Sequence, residues 1–328
     1  NLLEDLFHYV YQNEDCRLLF AGDIAQLPPV GLTDSPALVP AFLKKTFGFP
    51  IQGVELNEVV RQEMDSGVLY NATKLRLQLA EGKNVPPGFE LEGYDDMIRV
   101  QGQELIDHLE KAYNEYGPEE TIVICRSNKR ANIYNQQIRS RIRWQEDEIS
   151  AGDHLMVVKN NYFWLPEESK AGFIANGDTA KIIRIRKYNE LHGFRYADVT
   201  LRLLDYPDEP ELDVKILLDT LYSEAPALTA PQQQQLYESV AADYKDLSKG
   251  ARYKKMQEDP WYNALQVKFA YAVTCHKAQG GQWKAVFIEQ GYLTDEMVNA
   301  EFFRWLYTAL TRTTEKVYLV GFNENFYT

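Results

Sequence analysis

The 328-residue chain has few of the residues and segments that mark membrane, secreted or metal-binding proteins. No apolar run approaches the ~18 residues that a membrane-spanning helix needs. The three cysteines, Cys16, Cys125 and Cys275, lie far apart, which excludes a disulfide framework and a C-x-x-C metal pair. The five histidines are also scattered, so that no two have the spacing of zinc ligands. We therefore expect reduced cysteines, a cytoplasmic location, and neither a membrane partner nor a metal site.

The charge is negative overall but uneven along the chain. A net charge of −13 on its own argues against a nucleic-acid partner, because surfaces that bind phosphates are normally basic. Residues 121–145, however, contain six Lys or Arg and no acid, whereas residues 205–224 contain seven acids and one Lys. A basic stretch of this kind can bind phosphates even in an acidic chain.

Apolar runs that alternate with amphipathic segments predict an α/β fold. Strands are predicted at four such runs: 121–125, 266–274, 284–290 and 317–320. Helices are predicted at 1–12, at 71–81, from Ser127 or Asn128 to about Trp144, and at 296–314. The pattern favours a mostly parallel sheet with helices on both faces.

The hydrophobic pattern of residues 150–225 has a different period. Apolar and polar residues alternate there in four short segments: 155–159, 179–186, 196–203 and 212–218. Alternation separated by Gly and Asn clusters predicts antiparallel strands in a small β-barrel or sandwich, inserted into the α/β pattern. Residues 229–259 are predicted to be helical, with Pro231 in the first turn.

The segment 18–31 (LLFAGDIAQLPPVG) follows a short apolar run at 16–20. A strand at this run would bring Gly22, Asp23 and Gln26 to the carboxyl edge of a sheet, where ligands bind in open α/β folds. A strand, a turn and a proline-rich loop without a ligand is the alternative interpretation.

Residues 274–281 (TCHKAQGG) bring a Thr, a Lys, a Gln and two Gly together at a strand end. A hydroxyl, a positive charge and bare backbone can hold phosphates, although solvated polar residues at a helix start give the same pattern. Arg312 lies in a predicted helix whose apolar residues are spaced to pack against a core, and Arg61 follows two adjacent valines. Taken singly, each arginine is more simply explained as a surface charge.

Together and in this order, these segments resemble motifs III to VI of superfamily 1 DNA helicases. The resemblance is closest to the branch of RecD, the exodeoxyribonuclease V α subunit, and the phage helicase Dda. The matching segments are 22–30 for motif III, 60–62 for motif IV, 274–280 for motif V and 307–312 for motif VI. Residues 151–183 are similar to the SH3-like insertion of this branch. The resemblance implies a RecA-like parallel sheet with helices on both faces, plus an inserted small SH3-like β-barrel.

The resemblance also implies roles for single residues. Gln26 would couple the γ-phosphate of ATP to the DNA site, and Arg61 and Arg312 would act as arginine fingers. The implied nucleotide-binding residues are Gly22, Asp23, Gln26, Arg61, Gly280, Gln282 and Arg312. The implied DNA-binding residues are Arg126, Asn128, Thr274, His276 and Lys277. At position 282 many relatives have Glu, so Gln282 departs from the family pattern.

Two motifs are absent from the sequence. No G-x-x-x-x-G-K-[ST] segment is present, and no apolar run ends in an Asp-Glu pair that could bind magnesium. In this family those Walker A and B residues precede motif III. We therefore expect the chain to be the C-terminal portion of a helicase, with the main ligands of ATP and Mg²⁺ outside it.

The expected division has four parts. Residues 1–55 would end a first RecA-like domain, 56–149 and 261–328 would form the second, and 150–260 would be the inserted barrel with a helical extension. By this resemblance, the intact protein would be a monomeric 5′-to-3′ translocase on single-stranded DNA. The chain alone, without its N-terminal RecA-like domain, would not hydrolyse ATP.

Two other functions remain open from the residues alone. A single-stranded nucleic-acid-binding module without motor activity is suggested by the basic stretch 121–145 and by Tyr162, Phe163 and Trp164, which could stack on bases or pack a core. A subunit of an exodeoxyribonuclease would need clustered carboxylates, and the acids at 205–224 are more simply explained as a solvated face.

Overall fold

The computed structural model describes residues 2–13, 15–56 and 66–328. The helices of these residues are α1 Leu2–Val10, α2 Pro40–Phe47, α3 Gly67–Ala80, α4 Leu105–Tyr116, α5 Asn128–Gln137, α6 Ala230–Asp243, α7 Lys249–Gln257, α8 Cys275–Ala278 and α9 Ala300–Leu310. The strands are β1 Met97–Val100, β2 Thr121–Cys125, β3 His154–Val157, β4 Thr179–Leu191, β5 Phe194–Leu203, β6 Leu212–Leu217, β7 Leu265–Phe269, β8 Ala272–Thr274, β9 Trp283–Glu289 and β10 Thr313–Val320. None of the helices in these ranges is long and apolar enough to cross a membrane.

Five strands form a parallel sheet in the order β1-β10-β9-β2-β8. Alternate residues of β2 face opposite sides, because successive side chains of a strand point to opposite faces. Ile122 and Ile124 pack in the core cluster that contains residues of α3 and α9. Val123 and Cys125 pack in the other cluster, with residues of α4 and α5. The prediction of a parallel sheet with helices on both faces is confirmed.

The other five strands close into a barrel, β3-β4-β5-β6-β7. Four of its strand pairs are antiparallel, and the pair of β6 with β7 is parallel. The alternating period at 150–225 therefore predicted β3 to β6 correctly. The parallel closure was not predicted, because β7 returns to the barrel only after α6 and α7.

The run 266–274 is two strands and not the single strand predicted. β7 belongs to the barrel and β8 to the parallel sheet. The change occurs at two residues, where the backbone N–H of Ala270 donates to His154 in β3 and the carbonyl of Tyr271 accepts from Val123 in β2. Both strands are buried, so the apolar run continues across the change of sheet.

A buried ion pair fixes the barrel against the sheet. Nε and one terminal nitrogen of Arg139 each lie 2.9 Å from a different carboxylate oxygen of Asp153, and the two residues are 4% and 0% exposed. The hydroxyl of Tyr271 donates to Asp153 at 3.0 Å and accepts from the backbone of His154 at 3.1 Å. We call Arg139, Asp153, His154 and Tyr271 the barrel junction. Arg139 is thus structural, although it lies in the basic stretch whose charge could have bound phosphates.

The N-terminal residues fold around a cluster of aromatic rings. Phe7 of α1 stacks on Phe47 of α2 with ring centroids 3.8 Å apart, and Tyr11 stacks on Phe49 at 4.3 Å. The strand expected at 16–20 does not form, and Leu19 is 90% exposed. An apolar run needs a neighbouring strand to satisfy its backbone groups, and among the described residues this run has none.

Candidate functional site

A loop near the N-terminus docks on α9. The backbone N–H of Leu27 donates to the hydroxyl of Thr308 at 2.9 Å, and the hydroxyl of Tyr307 donates to the Asp23 carboxylate at 2.9 Å. Farther along the loop, Arg304 lies 2.9 Å from the carboxylate of Asp34. We call residues 22–38 the docked loop. It brings the predicted residues of motif III onto those of motif VI.

The docked loop also contacts the segment after β8. The side-chain amide of Gln279 donates to the carbonyl of Leu27 at 2.9 Å. Both backbone groups of Leu27 are therefore bonded by side chains from two distant segments, Gln279 on one side and Thr308 on the other. Three segments that are far apart in the chain, 22–38, 274–282 and 304–312, thus meet at one place.

Asp23 lies at the centre of the loop's polar contacts. One carboxylate oxygen accepts from the backbone of Ala25 at 3.0 Å and lies 3.7 Å from Arg76 of α3. The other accepts from Tyr307, whose pKa is raised to about 12 by burial and by the adjacent carboxylate, so that its hydroxyl stays a donor at neutral pH. Arg76 was not predicted from sequence, because no motif marks it and its contact with Asp23 is long-range.

Gln26 and Gly22 lie in the same loop. Gln26 is half-buried, and its backbone N–H donates to the carbonyl of Asp23 at 3.1 Å. A Cβ at Gly22 would lie 2.6 Å from Leu38 Cδ1, so a side chain at this position would require the Leu38 side chain to move. The next residue, Leu27, bonds to Thr308, so Gln26 directly precedes the contact of the loop with α9.

Arg312 is 3% exposed, which excludes its interpretation as a solvated surface charge. Its guanidinium donates to the carbonyls of Thr308 at 3.1 Å and Gly281 at 3.3 Å, and to the hydroxyl of Thr311 at 3.1 Å. The contact with Gly281 joins the end of α9 to the segment after β8. Arg61, the other predicted arginine finger, lies outside the described residues.

The turn at 279–282 depends on its glycines. Gly280 has a φ of +88°, in the left-handed region that favours glycine. A Cβ at Gly281 would lie 2.3 Å from the Trp283 ring, so a side chain would displace this indole. Gln282 is exposed and follows these glycines. In this turn Gln279 bonds to Leu27 of the docked loop, and the carbonyl of Gly281 accepts from Arg312.

Three of the five predicted DNA-binding residues line one cleft of about 240 Å³. Arg126 follows β2 and Thr274 ends β8, and the parallel register pairs Cys125 with Thr274, so the two strand ends are adjacent. His276 is the second residue of α8, and partial burial lowers its pKa. The expected carboxyl edge of the sheet therefore carries these side chains.

The other two predicted DNA-binding residues lie elsewhere. Asn128 is the first residue of α5, whose N-terminus is capped by Ser127. The amine of Lys277 donates to the side chain of Asn176, between β3 and β4 of the barrel. Neither residue lines the cleft.

The basic stretch 121–145 is not one open basic face. Arg130 pairs with Glu289 at 2.6 Å, and Lys129 lies 3.8 Å from Glu224. Arg139 is buried in the barrel junction, and Arg143 donates to the carbonyl of Gly152 at 3.1 Å. Most of these positive charges therefore serve contacts within the chain.

The aromatic residues at 162–164 divide between the surface and the core. Tyr162 is 73% exposed and stacks on Phe173 at 4.9 Å. Trp164 packs against the barrel core, and its indole N–H donates to the carbonyl of Asn263 at 2.8 Å. Only Tyr162 of these two is placed to stack on a base.

The acids at 205–224 pair with arginines along the outside of the barrel. Arg186 lies 2.6 Å from Asp213, and Arg202 lies 2.6 Å from Glu211. Within residues 2–13, 15–56 and 66–328, no three His, Cys, Asp or Glu side chains are grouped so that they could hold a metal ion. These acids behave as the solvated face that their pattern suggested.

Residues 269–320 match the sequence profile of the UvrD-like helicase C-terminal domain. The match begins at the end of β7 and finishes at the end of β10, so that it includes Thr274, Gln279 and Arg312 but not the docked loop. No curated protein matches the chain.

Solved structures of Pif1 helicases are similar to the chain at 14% identity. For the Pif1 helicase from Candida albicans the TM-score is 0.40, with 93% of this chain and 63% of that one covered. For the Bacteroides Pif1 helicase in complex with ADP-AlF3 and ssDNA the TM-score is 0.40, with 100% and 68% covered. For a structure of two coordinating Pif1 helicases at forked dsDNA the TM-score is 0.46, with 98% and 66% covered. The chain spans about two thirds of the length of these helicases.

Proposed function

We propose that this chain is the C-terminal portion of an ATP-dependent DNA helicase of superfamily 1, of the RecD and Dda type. The observation that carries the proposal is the meeting of three distant segments, 22–38, 274–282 and 304–312, through Leu27, Gln279 and Thr308. The profile match over residues 269–320 supports it independently. In this proposal the parallel sheet is the second RecA-like domain, residues 1–55 end the first, and the barrel is the SH3-like insertion.

The proposed nucleotide contacts lie where these segments meet. Gln26, with Gly22 and Asp23 in the docked loop, faces the γ-phosphate, and Gly280 and Gln282 lie beside the nucleotide. Arg312 stabilises the charge of the transferring phosphoryl group, and Arg61 is assigned the same role from sequence alone. Because a phosphate oxygen is a stronger acceptor than the carbonyl of Gly281, the guanidinium of Arg312 is suited to exchange one for the other.

The chain supplies only part of an ATP site. Its sequence has no P-loop, so the residues present fit the γ-phosphate end of a nucleotide and not its whole triphosphate. In the proposal, the main ligands of ATP and Mg²⁺ belong to the N-terminal RecA-like domain of the intact protein. Bound ATP supplies the free energy, and Gln26 and Arg312 sense its γ-phosphate and close the two domains on it.

The proposed path of single-stranded DNA crosses the carboxyl edge of the sheet. Arg126, Thr274 and His276 share the cleft at this edge, which supports contacts with a strand there. Asn128 and Lys277 would contact the strand on either side of the cleft. Opening and closing of the nucleotide site would then move the strand in the 5′-to-3′ direction.

Substitution of Arg312 in the intact protein tests the proposal. Arg312→Ala is expected to lower DNA-stimulated ATP hydrolysis by about 10³–10⁵-fold, the usual worth of an arginine finger, and to leave single-strand affinity nearly unchanged. Phosphate release with and without single-stranded DNA measures ATP hydrolysis, and fluorescence anisotropy measures the single-strand affinity. Arg186→Ala, on the exposed barrel, is the matched control and keeps full turnover. Normal turnover by Arg312→Ala, with the wild-type melting temperature, refutes the assignment.

The 328-residue chain by itself is expected to release no phosphate from ATP. Steady release by the purified chain would contradict the division of the ATP site. A binding module without motor activity is the second candidate, favoured by the exposed ring of Tyr162. It predicts salt-dependent single-strand binding by the intact protein with no ATP hydrolysis under any condition.

A further inference from the structure

Three lysines near the barrel differ from the arginines on its outside. Burial lowers the pKa of Lys159, Lys268 and Lys277. Their amines donate only to neutral oxygens, which belong to amide side chains or to backbone carbonyls. In the described ranges none of the three forms an ion pair with a carboxylate, whereas Arg186 and Arg202 on the same barrel do. Their positive charge is therefore not balanced by a neighbouring acid.

Lys277 and Lys159 are joined through two asparagines. The amine of Lys277, on α8, donates to the side chain of Asn176, and the backbone N–H of Asn176 donates to the side-chain oxygen of Asn160 at 2.8 Å. Lys159 directly precedes Asn160 in the loop that follows β3. Because Lys159 and both asparagines are exposed and Lys277 is half-buried, a ligand in solution can reach these groups.

Lys268 is close to both of these lysines, on the outer face of β7. The amine of Lys159 donates to the side chain of Gln233 on α6 at 3.0 Å, and the amide of Gln266 donates to the same oxygen at 3.3 Å. Gln266 and Lys268 are two residues apart in β7, so their side chains point to the same face, about 7 Å apart. Burial, and then the charge of Lys277, lowers the pKa of Lys268 to about 8. We call Lys159, Lys268 and Lys277 the lysine cluster.

The lysine cluster is continuous with the proposed path of the strand. Lys277 lies three residues after Thr274, which lines the cleft at the carboxyl edge, and its contact with Asn176 reaches the barrel. Like charges that are held together and partly removed from water raise the free energy of the unbound protein. A phosphate oxygen is a stronger acceptor than a neutral amide oxygen, and its negative charge would offset the repulsion among the amines. The chemistry that fits is a phosphodiester backbone.

We propose that the lysine cluster binds the phosphate backbone of the strand where it leaves the sheet edge for the barrel. Lys159 and Lys277 contact phosphate oxygens, and the buried amine of Lys268 adds positive charge close to them. Asn176 is a positioning residue that holds the amine of Lys277. Because contacts with phosphates carry no sequence information, the site does not select bases. The inference rests on the proposed function, because it requires a strand at the carboxyl edge of the sheet.

The salt dependence of single-strand binding by the intact protein tests the site. Each phosphate contact contributes about 0.7 to the slope of log affinity against log salt concentration for a single strand. Lys159→Gln, at an exposed position, is expected to reduce the slope by this amount and to weaken binding equally for oligodeoxycytidine and oligodeoxythymidine. Lys187→Gln, at an exposed lysine of β4 outside the lysine cluster, is the matched control and keeps the wild-type slope. Fluorescence anisotropy titrations at several salt concentrations give the slopes.

The pH dependence of the same affinity tests Lys268. Its amine donates to the carbonyls of Thr220 at 3.2 Å and of Ser223, the residue paired with it in β3 is the apolar Met156, and Lys277 is the charged neighbour that lowers its pKa. A bound phosphate raises this pKa, so the complex keeps a proton that the free protein loses as the pH rises through about 8. A rise of about 1 in the pKa lowers the affinity about fivefold between pH 7 and pH 9. Lys268→Met keeps an apolar stem without the amine and is expected to lose this pH dependence.

The outcomes separate the inference from the proposed function. If Lys159→Gln keeps the full salt slope, or if Lys187→Gln reduces it equally, the phosphate site on the barrel is wrong while a strand can still bind at the sheet edge. A full pH dependence in a folded Lys268→Met variant likewise refutes the part assigned to Lys268. If the intact protein binds no single strand, the proposed function fails and the inference fails with it.

Discussion

The barrel and the docked loop both lie against the parallel-sheet layer, but different contacts hold them there. The barrel junction contains a bidentate ion pair of Arg139 and Asp153 that is almost fully buried, and one apolar cluster runs from the barrel interior to the sheet. The docked loop is held by single hydrogen bonds at Leu27 and Asp23, by partly exposed ion pairs of Asp23 with Arg76 and of Asp34 with Arg304, and by small apolar contacts. The barrel thus shares a continuous apolar core with the sheet layer, whereas the docked loop is held to this layer mainly by individual polar contacts.

The difference predicts where the molecule opens. Breaking a buried ion pair by removing one partner costs ~3–5 kcal/mol, and a typical hydrogen bond contributes ~0.5–1.5 kcal/mol. Separation of the docked loop therefore requires less free energy than separation of the barrel. In the proposed helicase, the two RecA-like domains must part at the docked loop, while the barrel moves together with the second domain.

The largest expected effect is at the barrel junction. Arg139→Ala leaves the carboxylate of Asp153 buried without its cation and is expected to lower the free energy of unfolding by ~3–5 kcal/mol. Denaturant titration measures this change in the free energy of unfolding. A double variant, Arg139→Met with Asp153→Leu, removes both charges and should recover most of the loss. A loss below ~1 kcal/mol for Arg139→Ala would mean that the junction is no stronger than the loop contact.

The same junction should weaken in acid. Burial, with the nearby charges of Arg143 and Lys181, lowers the pKa of His154 from 6.5 to about 4. Between pH 4 and pH 6.5 the unfolded chain binds a proton at His154 that the folded chain does not bind. The stability that neutral His154 contributes is therefore complete above pH 6.5 and is lost as the pH falls towards 4. The loss is on the order of 3 kcal/mol.

Unfolding titrations across this pH range measure the effect. His154→Phe keeps a ring beside Tyr271, which stacks on His154 with centroids 5.8 Å apart, but removes the titrating group. We expect the variant to flatten this part of the pH profile. An unchanged slope would assign the acid sensitivity to groups other than His154.

Much of the sheet and barrel could be predicted from sequence because their strands have clear local patterns. The run 121–125 is apolar throughout, as burial on both faces requires, and 179–186 alternates as a barrel strand does. The break at Ala270 and Tyr271 could not be predicted, because no local pattern marks a change from one sheet to another. The helix predicted at 296–314 is shorter, Ala300–Leu310, because β10 already begins at Thr313.

The candidate site was predictable only where motifs marked it. Thr274 and Arg126 lie on the expected strand ends, since carboxyl ends of parallel strands meet at one edge. Arg139 resembled the other basic residues of its stretch, and only the fold places Asp153 opposite it. Arg76 carries no motif, and its contact with Asp23 joins segments far apart in the chain.

A smaller effect is expected at the docked loop. Thr308→Val keeps the side-chain volume but leaves the backbone N–H of Leu27 buried without an acceptor, which costs ~1–3 kcal/mol. Amide hydrogen exchange at Leu27 should accelerate accordingly, while exchange at β2 stays at the wild-type rate. Thr200→Val, which removes a hydroxyl bonded to Asp213 on the barrel, is the control and should leave Leu27 unaffected. Equal acceleration at β2 would show that loop and sheet open as one unit.

The smallest expected effect tests whether the contacts that hold the docked loop act independently of one another, which is the point on which the loop is expected to differ from the barrel junction. Tyr307→Phe removes one hydrogen bond to Asp23, yet the backbone of Ala25 and the guanidinium of Arg76 remain beside that carboxylate. Since the carboxylate keeps these partners, we expect a loss of only ~0.5–1.5 kcal/mol in the free energy of loop opening, measured by hydrogen exchange at Leu27. Combining Tyr307→Phe with Arg76→Ala should give nearly the sum of the two single effects, as for independent contacts. A combined loss well beyond that sum would mean that Asp23 holds the loop as cooperatively as Asp153 holds the barrel, and the loop would then be no easier to separate.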